Sequence, residues 1–130
     1  MDASTLRAGC LAMPGSYEDF PFGPDASVFK VRALVEGGRH PSKMFALSAL
    51  WGEPLSVSLK CEPSLAIHLR ATHDEITTAY HFNKVHWNCV RLDGALPDQM
   101  ILEMIEDSYD LVVATLNREQ QALLGWSRSR

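Results

Sequence analysis

Leu55-Ser56-Val57-Ser58-Leu59-Lys60 decides how this chain of 130 residues is read. Side chains alternate across a strand, so Leu55, Val57 and Leu59 share one face while Ser56, Ser58 and Lys60 share the other. A strand with one apolar and one wet face belongs to an antiparallel sheet covered on a single side.

Upstream, Trp51-Gly52-Glu53-Pro54 makes a turn, and Lys43–Leu50 is the preceding strand. Before it, Val28–Val35 is rich in β-branched residues, with Lys30 and Arg32 alternating to one side. The connector between these two, Glu36 to Ser42, is longer than a two-residue hairpin. Residues 16–25 hold two prolines and a glycine, which forbid a regular element; Tyr17, Phe20 and Phe22 pin them as an ordered loop. Residues 3–13 place Leu6, Cys10 and Met13 at helical spacing, ended by Pro14-Gly15.

Downstream, Pro63 opens a helix whose inner side is marked by Leu65, Leu69 and Thr72. A polar, irregular segment follows Asp74-Glu75, and His86–Leu92 is a further strand closed by Asp93-Gly94. From Pro97, Ile101, Ile105, Tyr109, Val112 and Leu116 recur at helical spacing. The order helix, three strands, helix, strand, helix predicts an α+β two-layer sandwich, an antiparallel sheet with helices packed on one face. Residues 1–117 form one domain, and 118–130 are a polar C-terminal tail, partly helical or frayed, with a helical turn around Gln120 to Leu124.

Bulk properties set the function classes. An apolar share of 46% and a charged share of 22% suit a soluble domain, and no apolar run is long enough for a bilayer span. Three widely spaced cysteines among apolar neighbours read as reduced thiols of a cytoplasmic protein without a leader. The net charge of −4 disfavours nucleic acid, but its distribution is uneven. Residues 27–91 hold eight Lys/Arg against five acids, whereas residues 92–117 hold six acids and no base. A sheet built from the first section and a helix from the second give a basic face and an acidic back.

The densest run of ligand-capable side chains is Tyr80 to Val90, Tyr-His-Phe-Asn-Lys-Val-His-Trp-Asn-Cys-Val. His81, His86 and Cys89 lack the spacing of a zinc site. No serine or cysteine sits on a nucleophile elbow, and no Gly-rich phosphate loop is present, so no catalytic, metal or cofactor site is assigned. Lys30, Lys43, Lys60 and Lys84 can neutralise phosphates, with His81, Asn83, His86 and Asn88 positioning the backbone. Trp87 or Phe82 can stack on an unpaired base. Against these stand plainer roles: Phe29, Phe45 and Trp87 as core residues, Asn83 as a turn cap, and the lysines as a solvated face.

Several stretches together resemble the MmcQ/YjbR family of small bacterial proteins. They are Cys10-Leu-Ala-Met-Pro-Gly15, Glu18-Asp19-Phe20-Pro21-Phe22-Gly23-Pro24, Val28-Phe29-Lys30-Val31, Lys43-Met44-Phe45-Ala46-Leu47 and Val57-Ser58-Leu59-Lys60-Cys61. After them come His81-Phe82-Asn83-Lys84, His86-Trp87-Asn88, Leu92-Asp93-Gly94 and Ser108-Tyr109-Asp110-Leu111-Val112. The match covers about residues 6–117; the Glu36 to Ser42 connector is longer than usual, and Val85 stands where the family often has a basic residue. The resemblance implies a CyaY-like fold and a DNA-binding role through a double-wing arrangement of sheet and loops.

Three functions follow as expectations. The first is a non-enzymatic DNA-binding protein using a basic sheet face and loops, acting as a monomer or weak dimer away from any membrane. The second is a small-molecule pocket, binding or catalytic, in which Glu18, Asp19, Lys43, His81, Asn83 and Trp87 converge on an anionic or aromatic ligand. The third is a protein-interaction module that uses the sheet face.

Overall fold

A computed structural model describes residues 1–37, 42–79 and 82–127. His81, residues 38–41 of the connector and residues 128–130 of the tail lie outside the described residues. The elements are α1 (Ala3–Leu11), β1 (Ser16–Asp19), β2 (Ser27–Arg32), β3 (Ser42–Ser48), β4 (Ser56–Lys60), α2 (Pro63–Thr72), β5 (Ile76–Thr78), β6 (Trp87–Arg91), α3 (Asp98–Val113) and α4 (Arg118–Leu123). The strands form one antiparallel sheet in the order β1-β2-β3-β4-β6-β5, with the helices packed on one face, an α+β fold.

Side-chain alternation sorts the sheet as β4 promised. Val57 and Leu59 are buried in the core, joined across the ladder by Val90 and Ile76. From β2 and β3 come Phe29, Val31, Phe45 and Ala46, and from the helices Leu6, Cys10, Ile101, Ile105, Tyr109, Val112 and Val113. The α3 stripe is buried along its length, and Leu116 continues it past the helix end. Among the described residues no helix is long and apolar enough to cross a membrane.

One irregularity fixes the register. Phe29 pairs with Ala46 but Lys30 pairs with Met44, so Phe45 is an extra residue in β3. Such a bulge turns two consecutive side chains the same way, which is why Phe45 and Ala46 are both fully buried. It also frees backbone groups that would otherwise bond between β3 and β4. Ser108 of α3 takes them: its hydroxyl donates to the Phe45 carbonyl at 2.6 Å and accepts from the Lys60 N–H at 2.8 Å. The next residue, Tyr109, meets the Phe45 ring edge-on at 5.5 Å and donates to the Pro14 carbonyl at 2.6 Å.

Three expectations are corrected. Residues 16–25 are not wholly irregular, because the breakers begin at Pro21 and leave Ser16–Asp19 free to pair with β2. The segment after Glu75 likewise contains the three-residue strand β5. In α2 the buried residue is Ala66, with Leu69 half-buried and Leu65 and Thr72 exposed, since a small side chain is what lets this helix sit close to the sheet. The helical turn expected near Gln120 is α4, capped by Asn117 and seated on the body of the protein. Gln121 donates to the carbonyls of Val113 and Leu116, Leu124 joins the core, and the Trp126 indole donates to Asp110.

Replacing Ser108 by alanine leaves the Lys60 N–H and the Phe45 carbonyl without their partner, at about 1–3 kcal/mol for each buried group. The expected loss in chemical denaturation is about 2–6 kcal/mol for the two groups together; a variant of unchanged stability would show that the hydroxyl is dispensable. Burial, reinforced by the Glu18 carboxylate, pushes the Cys10 thiol up to about 12. Cys10 should therefore resist iodoacetamide at pH 8 in the native protein and react only in denaturant, as peptide mass mapping would read.

Candidate functional site

The face of the sheet away from the helices carries Tyr17, Lys30, Arg32, Lys60 and Trp87. Register places Tyr17 beside Lys30, Lys30 beside Met44, Arg32 beside Ser42 and Lys60 beside Trp87. These pairs lie at one end of the sheet, where β2 and β4 finish and β3 and β6 begin. From β1 to β6 the row crosses four strand spacings, about 19 Å.

Local contacts order this face. The Arg32 guanidinium lies over the Tyr17 ring, 4.7 Å from its centre, and the Tyr17 hydroxyl shares a hydrogen bond with Ser42. Lys30 donates to Asp19 at 2.8 Å. That bond, with one from the Phe20 N–H, holds the Asp19 carboxyl below its usual range. At the far side the Phe82 and Trp87 rings stack at 4.9 Å with planes 24° apart. The turn between them is tied by Asn83, whose side chain accepts from the Val85 N–H at 2.9 Å and whose carbonyl accepts from the Trp87 N–H at 3.0 Å. Lys84 projects from this turn and is exposed, while Lys60 is half-buried beside Trp87; neither meets an acid among the described residues.

Other expected members lie elsewhere. Asn88, two residues from an exposed histidine, is 3% exposed on the helix side of β6. Its side chain accepts from Arg70 at 2.7 Å and donates to the Ala66 carbonyl at 3.5 Å, which anchors α2. Lys43 sits on the helix side as well, donating to Thr115 beyond α3 at 2.9 Å. His86 is exposed, with its backbone carbonyl bonded to the Cys61 N–H at 2.7 Å.

The expected small-molecule pocket does not assemble among its described members. Glu18 and Asp19 are consecutive on a strand and so point to opposite faces. Glu18 turns to the helices, accepting from Arg7 at 2.7 Å and Ser27 at 2.6 Å, while Asp19 and Trp87 stand on the other side. A groove of about 280 Å³ does exist between α2 and α3, but it is lined by Cys61, Glu62, Leu65, Asp107, Leu111 and Ala114, none of them an expected pocket residue. No group of three or more His, Cys, Asp or Glu is disposed for a metal among the described residues.

Two residues of the basic face escaped the sequence reading of the site. Arg32 carried a signal, its two-residue spacing from Lys30. Tyr17 carried none until β1 was known to be a strand.

Charge is segregated through the thickness of the molecule. The acids Glu103, Glu106, Asp107 and Asp110 all belong to α3, on the opposite side from the lysine row. Partial burial, then Asp110, Glu106 and Glu103, raise the Asp107 carboxyl above its ordinary value.

A family model described as YjbR matches residues 11–111. The uncharacterized protein YjbR of Escherichia coli K12 is 34% identical over 124 residues, covering 95% of this chain and 98% of the relative. The uncharacterized protein YbdF of E. coli O157:H7 is 34% identical over 118 residues, covering 90% and 88%. Among solved structures, Deinococcus radiodurans protein DR2400, of family-model domain DUF419, matches with a TM-score of 0.85 and 35% identity, covering 97% of this chain and 89% of that one. A Pseudomonas syringae protein matches with a TM-score of 0.66 and 28% identity, covering 85% and 98%.

A raised carboxyl in the folded state favours the protonated form, so Asp107 supports folding below the ordinary carboxylate range and loses that support as pH rises through its raised value. Asp107→Asn should accordingly raise the melting temperature at pH 7 and make little difference at pH 4. An equal gain at both values would point to packing instead of charge.

Proposed function

The chain belongs to the YjbR family, and we propose that it binds nucleic acid through the outer face of its sheet, as a binding module and not as an enzyme. The observation that carries the reading is the row of Tyr17, Lys30, Arg32, Lys60 and Trp87 at one end of that face, with Lys84 on the adjoining turn. Phosphate contacts supply most of the affinity in such interfaces and need only well-spaced cations. Here those cations share a face while the α3 acids are on the other side, so a negative net charge of −4 is compatible with a locally attractive field.

Lys60, Lys84 and Arg32 contact phosphates, and His86 adds a hydrogen-bonding ring beside the turn. Lys30 contributes less, because Asp19 already offsets its charge. Lys43 and Asn88 take no part: the first is held at the end of α3 and the second lies beneath α2. DNA is the partner that the family resemblance implies. The setting is cytoplasmic, in keeping with the free thiols of Cys10, Cys61 and Cys89, and the active form is a monomer or weak dimer.

The test is fluorescence anisotropy with short labelled DNA at several salt concentrations. Affinity should fall steeply with salt, and Lys60→Ala/Lys84→Ala should lower the log–log slope by about 2, one for each lost phosphate contact. Asp19→Asn should act in the opposite direction, tightening binding severalfold by releasing Lys30. Binding that is absent or insensitive to salt would overturn the reading.

A further inference from the structure

We infer that the outer face takes its nucleic acid single-stranded, with unpaired bases stacked on two aromatic stations at the ends of the basic row. This deepens the preceding reading and rests on it. One station is the Phe82–Trp87 pair, stacked at 4.9 Å and half-buried, so that solvent reaches both rings. Lys60 stands next to it in the ladder, and Lys84 lies on the turn that joins the two rings. The other station is Tyr17, held in place through Ser42 and carrying the Arg32 guanidinium 4.7 Å from its ring centre. Each station thus pairs a flat apolar surface with a cation, which is what a nucleotide presents in complement: a base and a phosphate. Between them the half-buried Met44 separates the Lys30–Asp19 pair from Lys60.

Strand state follows from shape. A duplex exposes its bases only edge-on, in a major groove about 12 Å wide. The row of side chains spans about 19 Å across five strands, too broad an element to enter that groove. A duplex laid on this face would use the cations alone and leave both ring systems idle. A single strand running across the β-strands can place bases flat on the rings while its phosphates meet Arg32, Lys60 and Lys84. Sheet faces that read unpaired nucleic acid elsewhere combine aromatics and cations in this way.

The experiment compares labelled oligo(dT), oligo(U) and a DNA duplex of equal phosphate number at one salt concentration, with wild type, Phe82→Leu and Tyr17→Leu proteins checked for fold by circular dichroism. Wild type should bind a single strand at least tenfold more tightly than the duplex. Phe82→Leu should lose about tenfold for the single strand, as expected for one stacked base, with its salt slope and its duplex affinity unchanged. A preference for either oligomer supports the inference, and the tighter of the two identifies DNA or RNA as the source. Equal, salt-sensitive binding of duplex and single strand would overturn this inference and leave the basic face standing. So would a folded Phe82→Leu protein with undiminished single-strand affinity. Salt-insensitive or absent binding of all three would overturn both readings together.

Discussion

The structure turns on one hydroxyl. Ser108 fills the place in the β3–β4 ladder that the Phe45 bulge leaves open, accepting from one strand and donating to the other. A helix normally touches a sheet only through apolar side chains, which can slide. Here α3 is written into the hydrogen bonding of the sheet itself, so its height and rotation are set. Tyr109 then meets Phe45 and reaches the turn after α1, while Ile105 and Val112 drop into the core on either side. Lys60, whose N–H is bonded to that hydroxyl, is fixed on the opposite face by the same contact.

Alternation does the rest. Because the side-chain period of a strand is two, each residue on the wet face is the neighbour of one in the core: Lys30 of Phe29 and Val31, Lys60 of Leu59, and Trp87 of Asn88. A shift of one residue would bury the lysines and expose the core, so the basic row and the hydrophobic core specify each other. The same rule separates Glu18 from Asp19, which serve a helix and a lysine respectively although they adjoin in the chain.

What was legible follows from where the information lies. β4 and α3 declare themselves because burial on one side stamps a strong period on the sequence, and the charge contrast between residues 27–91 and 92–117 announces the two faces. β1 and β5 are edge strands of four and three residues, too short to carry a period, and each shows itself only through its pairing with the next strand in the chain. Asn88 misled for a related reason. Its polar character reads as a binding group, yet it is buried because Arg70 and the Ala66 carbonyl, distant in sequence, satisfy its amide. Gln121 is the same case in α4, a buried polar side chain that holds the end of α3 by donating to the carbonyls of Val113, Ala114 and Leu116, contacts invisible to composition. The lysine row was readable by residue type, but membership of a common face needed the register, which removed Lys43 and added Arg32 and Tyr17.

The shortness of the two edge strands has a further effect. A sheet with one uncovered face and aromatic side chains upon it is vulnerable to growth by lateral addition, each incoming strand templated by the free backbone groups of the last. β1 offers only four residues before Pro21, with carboxylates at its last two positions, and β5 offers three. Neither margin is long enough to seed a foreign strand. The protein can therefore leave this sheet face uncovered without becoming the nucleus of a fibril.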